Sequence, residues 1–120
     1  MKRVVYVLTH DPKDRPELVS GVIAQAITAL SFEYEAEIYL MDRAVDMAKK
    51  GYISSIKADS FAALEELISS FIELGGGLFV CAPSAHSHHI EKADCIDGVA
   101  DFVDAGRLLV QSKDSIVFTY

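Results

Sequence analysis

Arg3 to Leu8 reads RVVYVL, six residues with no polar break after the first. The run is β-branched and aromatic and does not alternate with polar positions. A strand of this kind suits the interior of a parallel sheet, covered on both faces. The next stretch, THDPKDRPE from Thr9 to Glu17, is a charged turn. Asp14 has the position of a helix N-cap, Pro16 sits in the first turn, and Glu17 falls three residues after the cap, as in a capping box. Leu18, Val19, Val22, Ile23, Ala26, Ile27 and Leu30 then recur every three or four residues and make one apolar helix face. Gly21 costs that helix stability and is read as allowing close packing on a sheet.

The same alternation continues along the chain. Glu35–Leu40 (EAEIYL) is a second strand, and MDRAVDMAKKGY reads as a short helix through Ala44, Val45 and Ala48 that ends at Gly51. Tyr52 to Asp59 reads as irregular. Ser60 is placed to cap a helix whose buried stripe is Phe61, Leu64, Leu67, Ile68, Phe71 and Ile72, with Gly75 to Gly77 as a helix stop plus a turn. Leu78–Cys81 (LFVC) is the next strand, closed by Ala82-Pro83-Ser84. His89 to Asp94 makes a helical turn, Val99–Val103 a short strand, Asp104–Ser112 a helix, and Ser115–Tyr120 the last strand. Strands alternating with helices predict a single-domain α/β fold over residues 1–120: a three-layer sandwich on a mostly parallel five-stranded sheet with right-handed crossovers. Because the chain stops inside a strand, removal of its last six residues is expected to damage the core.

Composition narrows the function classes. The chain has 120 residues, 51% of them hydrophobic and 24% charged, which fits a soluble globular domain. Its net charge of −7, with no basic cluster beyond Lys49-Lys50, leaves little to neutralise a phosphate backbone. Nucleic acid is not an expected partner. The apolar run at the N-terminus stops at Thr9 and no cleavage site follows. No stretch approaches the roughly 20 apolar residues a membrane span requires, so no membrane association is expected. Two cysteines fourteen positions apart make no disulfide framework, and the expected location is the cytoplasm, where free thiols persist.

In open α/β sheets, ligands lie beyond the carboxyl ends of the strands. Three such ends are legible: Thr9, His10 and Asp11; Met41 and Asp42; and Cys81 to Ser84. The segment GGGLFVCAPSAHSHHIEKADC, Gly75 to Cys95, holds both cysteines and three of the four histidines. Cys81 closes a strand where following backbone N–H groups can stabilise a thiolate. His86, His88 or His89 can add charge there or take the thiol proton. An inert packing cysteine is the competing reading. Cys95 reads as a packing residue, with a resolving role toward Cys81 as the alternative. His10, Asp11 and Asp42 are candidate binding residues, although a turn or a cap accounts for them equally. The histidines lack H-x-x-x-H or C-x-x-C spacing, so no metal is expected. The glycine run precedes a strand instead of following one, and no phosphate loop, serine elbow or redox-cofactor motif is present, so no cofactor is expected.

Taken together, VVYVLTHDP, EAEIYLMDRAVDMAKKGY, FIELGGGLFVC, DCIDGVADFVD and DSIVFTY resemble the DsrE/DsrF-like family of small α/β proteins over nearly the whole chain. That resemblance implies a cysteine just after the third major strand that accepts sulfur as a persulfide and passes it on, a place filled here by Cys81. His86 and His88 would then act on the thiol. Other members carry a second cysteine three residues later. This chain has Ser84 there, so a C-x-x-C redox role is not implied. Where many members have an Arg-Gly turn, it has His88-His89-Ile90. The resemblance also implies a homo-oligomer, a trimer or hexamer, working with sulfur donor and acceptor proteins. The competing expectations are a non-catalytic homo-oligomeric binding or assembly module, and a metal-binding protein using the His/Cys-rich loop.

Overall fold

The structure, a computed structural model, describes residues 2–120. Five parallel strands form one sheet in the order β4-β3-β2-β1-β5: β1 Arg3–Leu8, β2 Glu35–Leu40, β3 Gly77–Cys81, β4 Val99–Val103 and β5 Ile116–Thr119. The helices are α1 Pro16–Ser31, α2 Leu64–Glu73, α3 Ala82–Ser87 and α4 Ala105–Ser112, with 3-10 helices at Asp42–Ala48 and Lys92–Asp94. From β1 to β4 the chain always steps the same way across the sheet. From β4 to β5 it steps back past β1. Right-handed crossovers therefore put α1 and α2 on one face and α4 on the other.

The two faces are unequal. Val4, Tyr6, Leu8, Ile38, Leu40, Leu78 and Val80 point into a large core with Val19, Val22, Ile23 and Ala26 of α1 and Leu64, Ile68 and Phe71 of α2. Burying each large side chain of this kind contributes about 1.5–3 kcal/mol before entropy is counted. Among the described residues the opposite face holds a smaller cluster, Val5, Val7, Tyr39 and Phe79, with Met41, Val103 and Leu108 of α4 packed on it. There Arg107 reaches over the sheet, its guanidinium 4.4 Å from the centre of the Phe79 ring and 3.4 Å from Glu37. The outer side of α4 leaves Leu109 and Val110 exposed.

Several local expectations change. Asp14 does not cap α1: the residue before the helix is Arg15, and the Asp14 carboxylate pairs with Arg43 at 3.2 Å. Asp11 organises the turn instead, its carboxylate accepting from Lys13 N–H and its carbonyl from Asp14 and Arg15 N–H. Ser60 does not cap α2. It has φ +69, and the helix starts at Leu64, after Leu64 N–H has bonded the Ile56 carbonyl. Phe61 is thereby left outside α2 and faces Gly21, so that glycine meets an aromatic ring and not the sheet. Ala82-Pro83-Ser84 opens α3 and is no simple turn. His89 lies outside the helical turn, which is confined to Lys92–Asp94, because its φ of +58 ends α3. Gly77 belongs to β3. Finally, β5 is an edge strand whose four residues are all exposed, so the last strand borders the core; Phe118 stacks on Tyr6 at 5.6 Å.

Candidate functional site at the carboxyl edge of the sheet

Because all five strands are parallel, the ends of β1, β2 and β3 open on one edge. At the end of β1, Thr9 is committed to the last strand: its N–H and its hydroxyl both donate to the Tyr120 carbonyl, each at 2.8 Å. His10 has its Nδ1 enclosed without a hydrogen-bond partner among the described residues. Asp11 accepts from the Tyr52 hydroxyl at 2.8 Å. The ammonium groups of Lys13 and Lys49 lie 4.0 and 4.8 Å from the centre of the Tyr52 ring. Burial first, and then the hydrogen bond to Asp11, push ionisation of that phenol well above its ordinary range.

At the end of β2, Asp42 takes a left-handed backbone, φ +51, and its N–H donates to Ser84 Oγ at 3.0 Å. Four residues on, Asp46 Oδ2 meets His88 Nδ1 at 3.2 Å, while its other oxygen holds Lys49 Nζ at 3.1 Å. The Asp42–Ala48 3-10 helix and α3 thus lie side by side in one register. Asp42 and Asp46 are spaced by four, as are Ser84 and His88. Ser84 therefore ties the end of β2 to the start of α3.

Cys81 ends β3 opposite Val103 of β4 and is also the residue before the first turn of α3. Its thiol is free and half-buried. No side chain among the described residues hydrogen-bonds its Sγ. Helix geometry explains why the histidines stay apart from it. His86 is five residues on, well round the helix, and is exposed. His88 lies at the other end of α3, beyond six helical residues or about 9 Å along the axis. His86 and His89 line a shallow groove of about 400 Å³ with Ile90, Glu91 and Asp94. Cys95 sits in the large core at 5% exposure, its Sγ turned to the Glu91 carbonyl at 3.6 Å. Burial, followed by the charge of Asp94, pushes its thiol pKa up. No group of three or more His, Cys, Asp or Glu side chains able to hold a metal ion comes together among the described residues.

In the sequence, Asp46, Lys49 and Tyr52 belong to no motif of a site. The available signal was the matched four-residue spacing of Asp42–Asp46 and Ser84–His88, which becomes informative only once the two segments are known to be neighbours.

A five-stranded parallel sheet with helices on both faces places the chain among small single-domain α/β proteins. The chain belongs to the DsrE/DsrF-like family, whose model matches residues 2–116. No curated protein matches it. Among solved structures it is similar to the ychN protein from E. coli, with a TM-score of 0.82, 19% identity and full coverage of both chains. It is also similar to the protein of unknown function MTH1491 from Methanobacterium thermoautotrophicum, at TM-score 0.74, 15% identity and full coverage of both chains. BT1422 from Bacteroides thetaiotaomicron matches at TM-score 0.67 and 10% identity, over 99% of this chain and 95% of that one. At these identities the likeness is one of fold. No helix among the described residues is long and apolar enough to cross a membrane.

Proposed function

We propose that the protein is a sulfur carrier that accepts and passes on persulfide sulfur at Cys81. The observation that carries this reading is the contrast between the two thiols. Cys81 stands at the sheet edge where ligands of parallel α/β proteins bind, whereas Cys95 is buried in the core. In the loading step the Cys81 thiolate attacks the terminal sulfur of a donor R–S–SH. A Cys81–S–SH bond forms, the donor S–S bond breaks, and R–S⁻ leaves. In the discharge step an acceptor thiolate attacks that outer sulfur and Cys81 leaves as thiolate. There is no net oxidation, so no cofactor is needed. His86 and His88 are the candidate proton-handling residues, and His10, Asp11, Asp42, Ser84 and His89 the candidate partner-binding residues along the same edge. The exposed Leu109 and Val110 on α4 offer an apolar surface for a homo-oligomer, and the family resemblance implies a trimer or hexamer.

The test is sulfur loading by a polysulfide donor, read by site-resolved mass. Wild type and Cys95→Ser are expected to gain sulfur at residue 81, and Cys81→Ser is expected to gain none. Equal loading of Cys81→Ser would exclude the carrier role and favour a non-catalytic assembly module.

A further inference from the structure

We infer that Asp46 is a positioning residue that presents His88 as the general base for the acceptor thiol in sulfur discharge, an inference that rests on the persulfide reading above. His88 Nδ1 is engaged by Asp46 Oδ2 at 3.2 Å. Its Nε2 makes no hydrogen bond among the described residues and is not among the enclosed unpartnered atoms. A carboxylate at Nδ1 keeps the ring proton of the neutral imidazole there and leaves Nε2 as the acceptor of a further proton. Asp46 is itself fixed, since Lys49 Nζ holds its second oxygen and the 3-10 helix beneath it is tied to α3 by the Asp42–Ser84 bond. The side chains of Asp46 and His88 are 17% and 26% exposed, which leaves the pair accessible from solvent yet restrained.

The spacing along α3 says what the base acts on. Cys81 stands at the N-cap of α3 and His88 at its C-cap, so the six helical residues between them, about 9 Å of helix, separate the two. That is too far for His88 to take the Cys81 proton directly. It suits a longer array: a persulfide extends Cys81 by about 2 Å, and the acceptor sulfur must then stand beyond it, toward His88. The step balances. His88 Nε2 takes the proton of R′–SH; R′–S⁻ attacks the outer sulfur of Cys81–S–SH; R′–S–SH forms, Cys81 leaves as thiolate, and the imidazolium returns its proton to solvent. The charged and titratable groups around His88 are Asp46, which bonds it, Lys49, which holds Asp46 and lies over Tyr52, Lys13 and Asp11, which also contact Tyr52, and His86 and His89 on its own segment.

The experiment starts from protein loaded with polysulfide and follows single-turnover discharge to 2-mercaptoethanol, normalised to the loaded fraction, from about pH 6 to about pH 9. In wild type, the rate is expected to fall less steeply toward neutral pH than the thiolate fraction of the acceptor. His88→Gln is expected to follow that thiolate fraction and to be about 10²-fold slower at neutral pH. Asp46→Asn is expected to be about tenfold slower. Nitrogen NMR of His88 is expected to show Nδ1–H in wild type and a mixture of tautomers in Asp46→Asn. Loaded variants that discharge at the wild-type rate with the wild-type pH dependence overturn this inference and leave the carrier reading standing. A wild-type protein that never loads removes both.

Discussion

Replacing Gly76 with alanine isolates one close approach on which the entry into β3 depends. Gly76 has no left-handed backbone requirement. A Cβ there would fall inside contact distance of three atoms of the Phe71 ring, with Cδ1 at 2.7 Å. Phe71 is fully buried, so its ring cannot swing out to make room. Overpacking of a well-filled core costs about 1–3 kcal/mol, and overlap with an immobile ring places this case near the upper figure. For a chain of this size about 3 kcal/mol corresponds to a melting point lowered by roughly 10 °C. The assay is urea and thermal unfolding of the single variant, of Phe71→Leu, and of the double variant. The smaller side chain is expected to relieve the overlap, giving a favourable coupling of at least about 1 kcal/mol. A Gly76→Ala protein as stable as wild type, or strictly additive costs, would refute the reasoning.

Gly21→Ala is expected to act the other way. Its Cβ would meet only the Phe61 ring, at an ordinary 3.7 Å, so the helix propensity gain of about 0.5–1 kcal/mol should appear as a higher melting point. Any loss of stability there would mean that Phe61 cannot give way. In the native protein, Cys81 is expected to be alkylated at neutral pH while Cys95, buried and with its thiol pushed up, labels only when the core opens. Equal rates for the two thiols would contradict this packing. Burial pushes Tyr6 and Tyr39 up to about 12 from 10.0, so folding favours the neutral phenols. Their contribution is complete below pH 10 and is lost as pH rises through about 12, and the melting point is expected to fall across that window. Tyrosinate absorbance that developed fully near pH 10 in the folded protein would argue against it.

The amino-acid sequence by itself determined the five strands and the helices α1, α2 and α4, though not α3, because burial periodicity is a local property. RVVYVL, EAEIYL and LFVC are apolar enough to be strands in any packing, and the α1 stripe has only one face to bury. It also placed Cys81 at a strand end, and hence at the edge where the other strand ends gather. Where two local signals competed, it erred. Asp14 looks like a cap, but Asp11 had already closed the turn, and Ser60 looks like a cap where the chain instead takes a left-handed step. Only the tertiary structure decided that β4 returns past β1 to β5, which leaves one face with α4 alone. Only it showed that Asp42 meets Ser84 and Asp46 meets His88. Those contacts join residues 42 apart in the chain, and their existence depends on two elements lying side by side. Side-chain type fixes what a group can bond; the crossover between strands fixes what it finds.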